Sequence, residues 1–286
     1  MSGEHPVSLL CEVLGVARSG YYRWRGGRAS SRQRADAVIA EQISAAHAAS
    51  RGTYGAPRLV MELRETGTRT SKRRCARLMT AQGLRGRKKH RRGPRTTDSR
   101  HQSPVAPNLR AERPAPTGAN QCWLTDITYL QTAEGWLYLA AILDLWSRQI
   151  VGWACGATLH TSLVLAALED ALTRRRPADG LLHHSDRGSQ YVADDYVQAL
   201  AAAGIERSMS RAGNCYDNSP MESFWSTLKT DTGLDVAIPA SRQHAELAVF
   251  DYIETFYNPT RRHSSLGYLS PVAFEKLNKP TDIKAA

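Results

Sequence analysis

Three acidic residues occupy settings in which an ordinary surface carboxylate is not expected. Asp126 lies inside the apolar and β-branched stretch 122–129, where a strand would bury it. Asp186 follows the apolar stretch 181–184 at a turn, and Glu222 stands at the predicted start of a helix. A buried carboxylate is costly unless it is paired, and hard divalent cations prefer oxygen ligands. The acids are therefore candidates for metal-assisted chemistry on a phosphate-bearing substrate.

Glu222 also has a purely structural interpretation. Ser219 and Glu222 have the spacing of a capping box, in which both side chains satisfy free amides at a helix start. For Glu222 alone this interpretation is the better one. Together with Asp126 and Asp186, with 35 residues between Asp186 and Glu222, the metal-ligand interpretation is preferred.

Three other polar residues near these acids allow alternatives. We expect Asp144 to have a structural role in a turn, with Arg148 or backbone amides as its partner. His184 is a candidate for orienting substrate, although one of two adjacent strand residues must face the core. Asn218 is a candidate for a substrate contact, with loop formation as the alternative.

Positive charge is concentrated in the first part of the chain. Residues 1–113 hold 24 basic and 8 acidic side chains, a net charge of +16, whereas residues 114–286 carry a net charge of −5. Lysine and arginine gathered on one module attract a polyanion through counterion release. The first part is the candidate nucleic-acid binder, and a merely solubilising surface is the alternative.

The first part divides into three predicted segments. Residues 1–34 form an N-terminal basic segment, and residues 35–84 form a small helical domain that resembles a helix-turn-helix. Its third helix begins after Thr70 and Ser71. The basic face of that helix has two interpretations, since it either enters a DNA groove or is simply solvated. For the domain as a whole, DNA binding and the formation of multimers are both open. The predicted DNA contacts on this face are Lys72, Arg73, Arg74 and Arg77.

Residues 85–117 form a predicted linker. Its first part is almost free of apolar residues, so it cannot pack and should lie on phosphates, and its second part is proline-rich and extended. The linker residues predicted to contact DNA are Arg85, Arg87, Lys88, Lys89, Arg91 and Arg92.

Residues 118–275 form the predicted second domain, and residues 276–286 a tail. The order of elements is β-β-β-α-β-α-β-α, which is typical of a mixed sheet flanked by helices. Arg261 and Arg262 follow a helix that ends near Tyr257. They are predicted to contact DNA phosphate, with capping of that helix as the alternative.

The five cysteines show neither disulfide-framework nor zinc-finger spacing, and no apolar run is long enough to span a bilayer. We see no export signal at the start of the chain. The sequence therefore predicts a protein of the reducing cytoplasm that does not bind a membrane.

Several long motifs, in this order, resemble one known family. The chain is similar to the DDE transposases and integrases, and most similar to the downstream-frame (OrfB) protein of insertion sequences of the IS-three type. The resemblance covers nearly the whole chain, from Tyr54, Gly55 and Arg58 onward. Its central motifs are WLTDITY at 123–129, HSDRGSQY at 184–191 and YDNSPMESF at 216–224, and its tail motifs are YN at 257–258, RRHSSLGY at 261–268 and SP at 270–271.

The resemblance implies an α/β fold, a ribonuclease-H-like integrase catalytic core with a mixed five-stranded sheet, preceded by the small basic helical domain. It also implies that Asp126, Asp186 and Glu222 hold two Mg²⁺ or Mn²⁺ ions. We expect Asp126 to bridge the ions and the other two acids to hold one each. The expected chemistry is cleavage of DNA 3′ ends followed by strand transfer, and loss of any one ligand should abolish it.

The resemblance further implies partners. They are double-stranded DNA at the element ends and the target, further copies of this chain on that DNA, and an upstream-frame (OrfA) product. Because OrfA carries the main end-recognising helix-turn-helix, we expect specific end binding to need it. The expected location is the bacterial cytoplasm, at the nucleoid. The alternatives are a nuclease or integrase of the same fold and a catalytically idle DNA-binding regulator.

Overall fold

A computed structural model describes residues 5–27, 29–87, 105–211 and 218–279. The chain divides into two compact units, residues 1–86 and 87–286. The predicted boundary between the helical domain and the linker, at 84/85, lies two residues before this division. Lys88, Lys89, Arg91 and Arg92 lie outside the described residues.

The described part of the first unit is helical. Ser30 and Gln33 form a capping box at the start of α3, and the hydroxyl of Ser71 accepts the Arg74 amide at the start of α5. Ile43, Leu59 and Cys75, from three successive helices, are buried together with their neighbours. The helices are α1 Val7–Val13, α2 Arg18–Arg25, α3 Ser31–Ala49, α4 Ala56–Glu65 and α5 Lys72–Ala81.

The N-terminal basic segment contains structure that its composition did not indicate. Its two short helices, α1 and α2, are joined by four residues, of which Gly15 has a φ of +63°. Cys11 is the buried residue of α1, and α2 buries none of its residues. In α1 the apolar residues Val7, Leu10 and Cys11 recur at intervals of three and four, a helical periodicity that sequence analysis missed.

The second unit is built on a five-stranded sheet of order β3-β2-β1-β4-β5. The first three strands form an antiparallel meander, whereas β4 runs parallel to β1 and β5 parallel to β4. The predicted mixed five-stranded sheet is therefore confirmed. The strands are β1 Cys122–Thr132, β2 Gly135–Asp144, β3 Ile150–Gly156, β4 Leu182–Ser185 and β5 Glu206–Met209.

Helices flank this sheet. The core includes Trp123 and Ile142 from the sheet, Leu168 from α7 and Tyr196 from α8, all almost fully buried. A π-helical turn, Asp251–Tyr257, continues directly from α10. The helices are α6 Leu109–Glu112, α7 Thr161–Arg175, α8 Asp194–Ala202, α9 Ser219–Thr232, α10 Arg242–Phe250 and α11 Pro271–Leu277, with 3₁₀ turns at Ser189–Tyr191 and Ser264–Leu266.

The second half of the predicted linker differs from the expectation of an extended, irregular segment. Residues 105–117 include α6 and lie along β5. The Met209 amide donates to the Pro107 carbonyl at 3.3 Å, and the Arg110 amide donates to the Ser208 hydroxyl at 3.2 Å. Arg113 and Glu206 form an ion pair. This stretch is hydrogen-bonded to the edge strand β5, a role that its proline content did not predict.

The thiols of Cys11, Cys75, Cys122 and Cys155 are free. Among the described residues, none of the helices combines the length and the apolar character needed to cross a bilayer.

Candidate active site

The parallel pairing of β1 with β4 aligns the two aspartates. Cys122 pairs with Leu182, and Leu124 with His184. The same register, continued two residues further, sets Asp126 opposite Asp186, just past the carboxyl end of β4. Two acids that are 60 residues apart in the sequence therefore meet at one edge of the sheet.

Asp126 is partly buried in the middle of β1. The negative charge of the neighbouring acids is greater than its hydrogen-bond donors offset. The indole Nε1 of Trp225 donates to its Oδ2 at 2.9 Å. Burial, then the nearby charge of Asp186 and to a lesser degree that of Glu222, raise the pKa of Asp126 to about 7. The three acids therefore interact electrostatically, and the charges of Asp186 and Glu222 disfavour the ionised form of Asp126.

Asp186 is oriented by the turn that follows β4. The Gly188 amide donates to Asp186 Oδ1 at 2.9 Å. A Cβ at position 188 would lie only 3.1 Å from the same oxygen, so a side chain there would crowd the carboxylate. The glycine therefore allows the backbone to approach and fix one oxygen of Asp186.

Glu222 is exposed in the first turn of α9. The residue before the helix is Asn218, and its side chain forms no capping hydrogen bond. Because Ser219 is already helical, the capping box that would explain Glu222 structurally is not formed. The spacing of Phe224, Trp225 and Leu228 predicts a buried stripe on this helix, and all three side chains are buried.

The charge at this edge fits a divalent cation, because the carboxylates of Asp186 and Glu222 raise the cost of ionising Asp126. In the described ranges, no group of three or more histidine, cysteine, aspartate or glutamate side chains is arranged closely enough to hold a metal ion. The donor chemistry is that of a hard cation, and the acids do not form a closed ligand shell.

Two residues of α9 next to these acids were missed by sequence analysis as site residues. Trp225 was assigned only to the buried stripe, yet its N–H is used by Asp126. Lys229 is partly buried, which lowers its pKa, while the charge of Asp126 raises it. Glu222, Trp225 and Lys229 recur at intervals of three and four, so they share one face of the helix. A buried tryptophan, which needs an acceptor, was the available signal.

His184 and Asn218 have neighbours that indicate positioning roles. His184 is fully buried, and its ring nitrogens lie 2.9 Å from the Ser208 hydroxyl and 3.0 Å from the Ser210 hydroxyl. It ties β4 to β5, which favours the core alternative over substrate orientation. The buried Asn218 amide donates to the Thr125 carbonyl at 3.4 Å and so holds the start of α9 beside Asp126.

Asp144 has the structural role predicted for it. It is fully buried, and its carboxylate accepts from the amides of Asn120 at 2.6 Å, Trp146 at 3.0 Å and Ser147 at 3.0 Å. The Ser147 hydroxyl donates as well. Backbone amides, one of the two predicted kinds of partner, close the turn after β2.

The predicted DNA contacts on α5 differ in whether they form ion pairs within the first unit. Arg74 and Arg77 both bind the carboxylate of Asp36, each at 2.6 Å, and so join α5 to α3. Lys72 and Arg73, on the same helix, are exposed. The predicted basic face is therefore half engaged within the unit. Arg85 is also exposed.

In the second unit, Arg87 donates to the Thr230 carbonyl at 3.1 Å. Arg261 is 5% exposed and binds Asp231 at 2.6 Å. Arg262 is 6% exposed and donates to the Tyr268 carbonyl at 2.9 Å. This burial favours a structural role for Arg261 and Arg262 over the predicted contact with DNA phosphate.

Three protein families match the sequence. An Integrase core domain family matches residues 116–215, and a second Integrase core domain family matches residues 203–271. An HTH-like domain family matches residues 33–92. The three acids lie in the part of the chain matched by the integrase families.

Curated relatives match almost end to end. The chain is 48% identical over 267 residues to the insertion element IS600 uncharacterized 31 kDa protein of Shigella sonnei, covering 93% of this chain and 97% of that protein. It is 41% identical over 277 residues to the transposase InsF for insertion sequence IS3A of Escherichia coli K12, covering 96% of each.

Solved structures with lower identity also match. One is a chain of a simian T-cell lymphotropic virus intasome in complex with PP2A regulatory subunit B56 gamma, at 14% identity and a TM-score of 0.49, covering 84% of this chain and 76% of that one. Another is the HTLV-2 integrase catalytic core domain in complex with magnesium, at 14% identity and a TM-score of 0.43, covering 56% and 98%.

Proposed function

We propose that this chain, which belongs to the family of IS3-type insertion-sequence transposases, cuts DNA at 3′ ends and joins the freed ends to a target with Asp126, Asp186 and Glu222 as its catalytic carboxylates. Its integrase core places it in the polynucleotidyl transferase class. The observation that carries the proposal is the parallel pairing of β1 with β4, which sets Asp126 opposite Asp186. Burial and the charges of Asp186 and Glu222 raise the pKa of Asp126, which supports it.

Asp126, Asp186 and Glu222 are the residues that would hold two Mg²⁺ or Mn²⁺ ions. Such ions would neutralise charge on the attacking and leaving oxygens of a phosphodiester and would activate the nucleophile. Oxygen donors of this kind are those that both cations prefer.

The chain's own groups prepare this edge of the sheet. The Trp225 N–H donates to one oxygen of Asp126, and the Gly188 amide donates to one oxygen of Asp186, so both carboxylates are oriented by the fold itself. Lys229 adds positive charge beside Asp126 and favours the approach of a phosphate group. Fixing these groups in advance limits the reorganisation needed when substrate binds.

DNA would be held mainly by basic residues of the first unit and the linker. We assign phosphate contacts to the exposed Lys72, Arg73 and Arg85, with Arg87, Lys88, Lys89, Arg91 and Arg92 as further contacts. The substrate is the double-stranded DNA of the element ends and the target, in the bacterial cytoplasm at the nucleoid. We further propose that the chain acts as a homo-oligomer on DNA and with an upstream-frame product.

The test is cleavage of a supercoiled plasmid that carries the ends of the element, in the presence of Mn²⁺. Together with the upstream-frame product, the full chain should nick at the ends. Asp126→Asn should lower the rate by about 10³-fold or more, because one metal ligand is lost. The matched control is Asp195→Asn, which removes an exposed acid from α8 and should cleave normally. Retained DNA binding without any nicks would instead identify an idle regulator.

A further inference from the structure

A cavity of about 1100 Å³ lies at the end of the sheet opposite the acids. It is bounded by residues 110–122, by the turn after β2 and by residues 176–182. Cys122 and Leu182, the first residues of β1 and β4, line it, whereas Asp186 follows the last residue of β4. The cavity is therefore separate from the candidate active site.

Four arginines line this cavity, namely Arg110, Arg113, Arg148 and Arg176, against the single acid Asp179. Arg148 is partly buried, and burial lowers its pKa. Within the described ranges, its guanidinium is not engaged in any of the salt bridges of the unit, whereas Arg113 pairs with Glu206. The nearby carboxylate is that of Asp144, whose two oxygens already accept backbone amides. A partly desolvated guanidinium that forms no salt bridge is suited to an incoming anion.

The backbone around the cavity is held in a conformation that costs free energy. Of the five described non-glycine residues with positive φ, three line the cavity, namely Asn120 at +61°, Arg148 at +63° and Arg176 at +43°. Asparagine tolerates this region, but arginine does not favour it. Arg176 also ends α7 at a position where glycine is usual. Strain of about 1 kcal/mol or more per residue is typical of sites that bind ligands.

We propose that this cavity binds a phosphate group of a DNA strand and so forms a second DNA-contact site, remote from the three acids. Its volume of about 1100 Å³ lies near the upper end of the range of ligand pockets, and Trp146, Pro116 and Pro177 provide apolar walls for a sugar and base. Residues 88–104 of the chain are a poor occupant, because they hold six basic side chains against one acidic side chain and the arginines would repel this net positive charge. The choice of DNA as the source of the phosphate rests on the proposed function.

The test is a hydrogen-exchange footprint with an eight-nucleotide single-stranded DNA, measured on the full chain carrying Asp126→Asn so that cleavage plays no part. The oligonucleotide should slow exchange in residues 110–122 and 145–148. Arg148→Gln with Arg176→Gln should raise the concentration for half protection by about tenfold or more, since two charge-assisted contacts are lost. Lys276→Gln, which removes an exposed charge from α11, should leave it unchanged.

Three outcomes overturn the assignment. They are absence of protection at both segments, equal protection in the arginine double variant, and protection by inorganic phosphate at the same concentration as by DNA, which would identify a free-phosphate site. If the double variant does not fold, the exposed Arg176→Gln alone should weaken protection by about threefold. A footprint without plasmid cleavage would contradict the proposed function and leave this site standing.

Discussion

Two acids of the same β-hairpin show how differently this protein uses a carboxylate. Asp144 ends β2 and pairs across the sheet with Trp123, while Asp126 lies three residues further along β1. Burial is the main cause of a raised pKa in both. Asp144 receives three backbone amides and a hydroxyl. Asp126 receives the Trp225 N–H and one backbone amide, beside two further acids.

The difference lies in what surrounds each charge. Donors occupy both oxygens of Asp144, so its negative charge is stabilised by the fold itself. The neighbours of Asp126 include Asp186 and Glu222, which oppose its ionisation. A buried acid that is incompletely compensated by the protein is best explained by a ligand that the fold is built to accept.

The largest expected effect is on folding, from Asp144→Asn. The amide keeps one acceptor but places an N–H₂ group against backbone amides, so the free energy of unfolding should fall by about 2–4 kcal/mol. Urea unfolding measures this, with Asp195→Asn as the control that stays within about 0.5 kcal/mol of the parent. A change of similar size in both variants would remove the structural role of Asp144.

The pH dependence of stability should identify Asp126. Its pKa is about 7 in the folded protein against an ordinary value of 3.8, so the folded state holds the proton more tightly than the unfolded state. Without metal, stability is therefore lost as the pH rises from about 4 through 7. Asp126→Asn should remove this loss. Its free energy of unfolding should exceed that of the parent by about 1–2 kcal/mol at pH 8, because the partial exposure of Asp126 to solvent limits the effect.

Thermal unfolding in the presence of a chelator, from pH 5 to pH 8, follows this difference. The parent and Asp126→Asn curves should converge at the acid end and separate at the alkaline end. Parallel curves would mean that the neighbouring acids do not disfavour the ionised form.

A smaller effect is expected from Trp225→Phe. The substitution keeps aromatic packing against Phe224, whose ring centroid lies 4.8 Å away, and removes the hydrogen bond that lowers the pKa of Asp126. Cleavage should slow by about tenfold, and the acidic limb of its pH profile should move upward. A slower reaction with an unmoved profile would assign Trp225 to packing alone.

The smallest effect should come from Glu222→Gln on folding. Because the capping box is absent at α9, the free energy of unfolding should change by less than about 0.5 kcal/mol. Ser71→Ala is the matched comparison, since that cap is formed at α5, and it should cost about 1 kcal/mol. Equal losses in both variants would restore the capping interpretation of Glu222.

The elements that the sequence predicts best are those with a strong periodic pattern. The strands β1, β2 and β3 and the helices α7 and α8 follow one another in the predicted order, because alternating or helical apolar spacing reports burial directly. Asp126 and Asp186 were singled out for the same reason, since acids beside apolar strands need an explanation.

Contacts between distant segments could not be predicted in this way. The alignment of Asp126 with Asp186 depends on the register of β1 and β4, which neither strand encodes alone. The burial of Arg261 depends on Asp231 from another helix. Residues 105–117 are ordered by β5, so their proline-rich composition predicted a linker where the sheet edge continues.

Direct titration with Mn²⁺ by calorimetry tests most sharply whether the three acids act as one site. The full chain should bind Mn²⁺, and Asp126→Asn, Asp186→Asn and Glu222→Gln should each weaken binding by about tenfold or more, while Asp195→Asn binds like the parent. Unchanged Mn²⁺ affinity in all three variants would contradict the account.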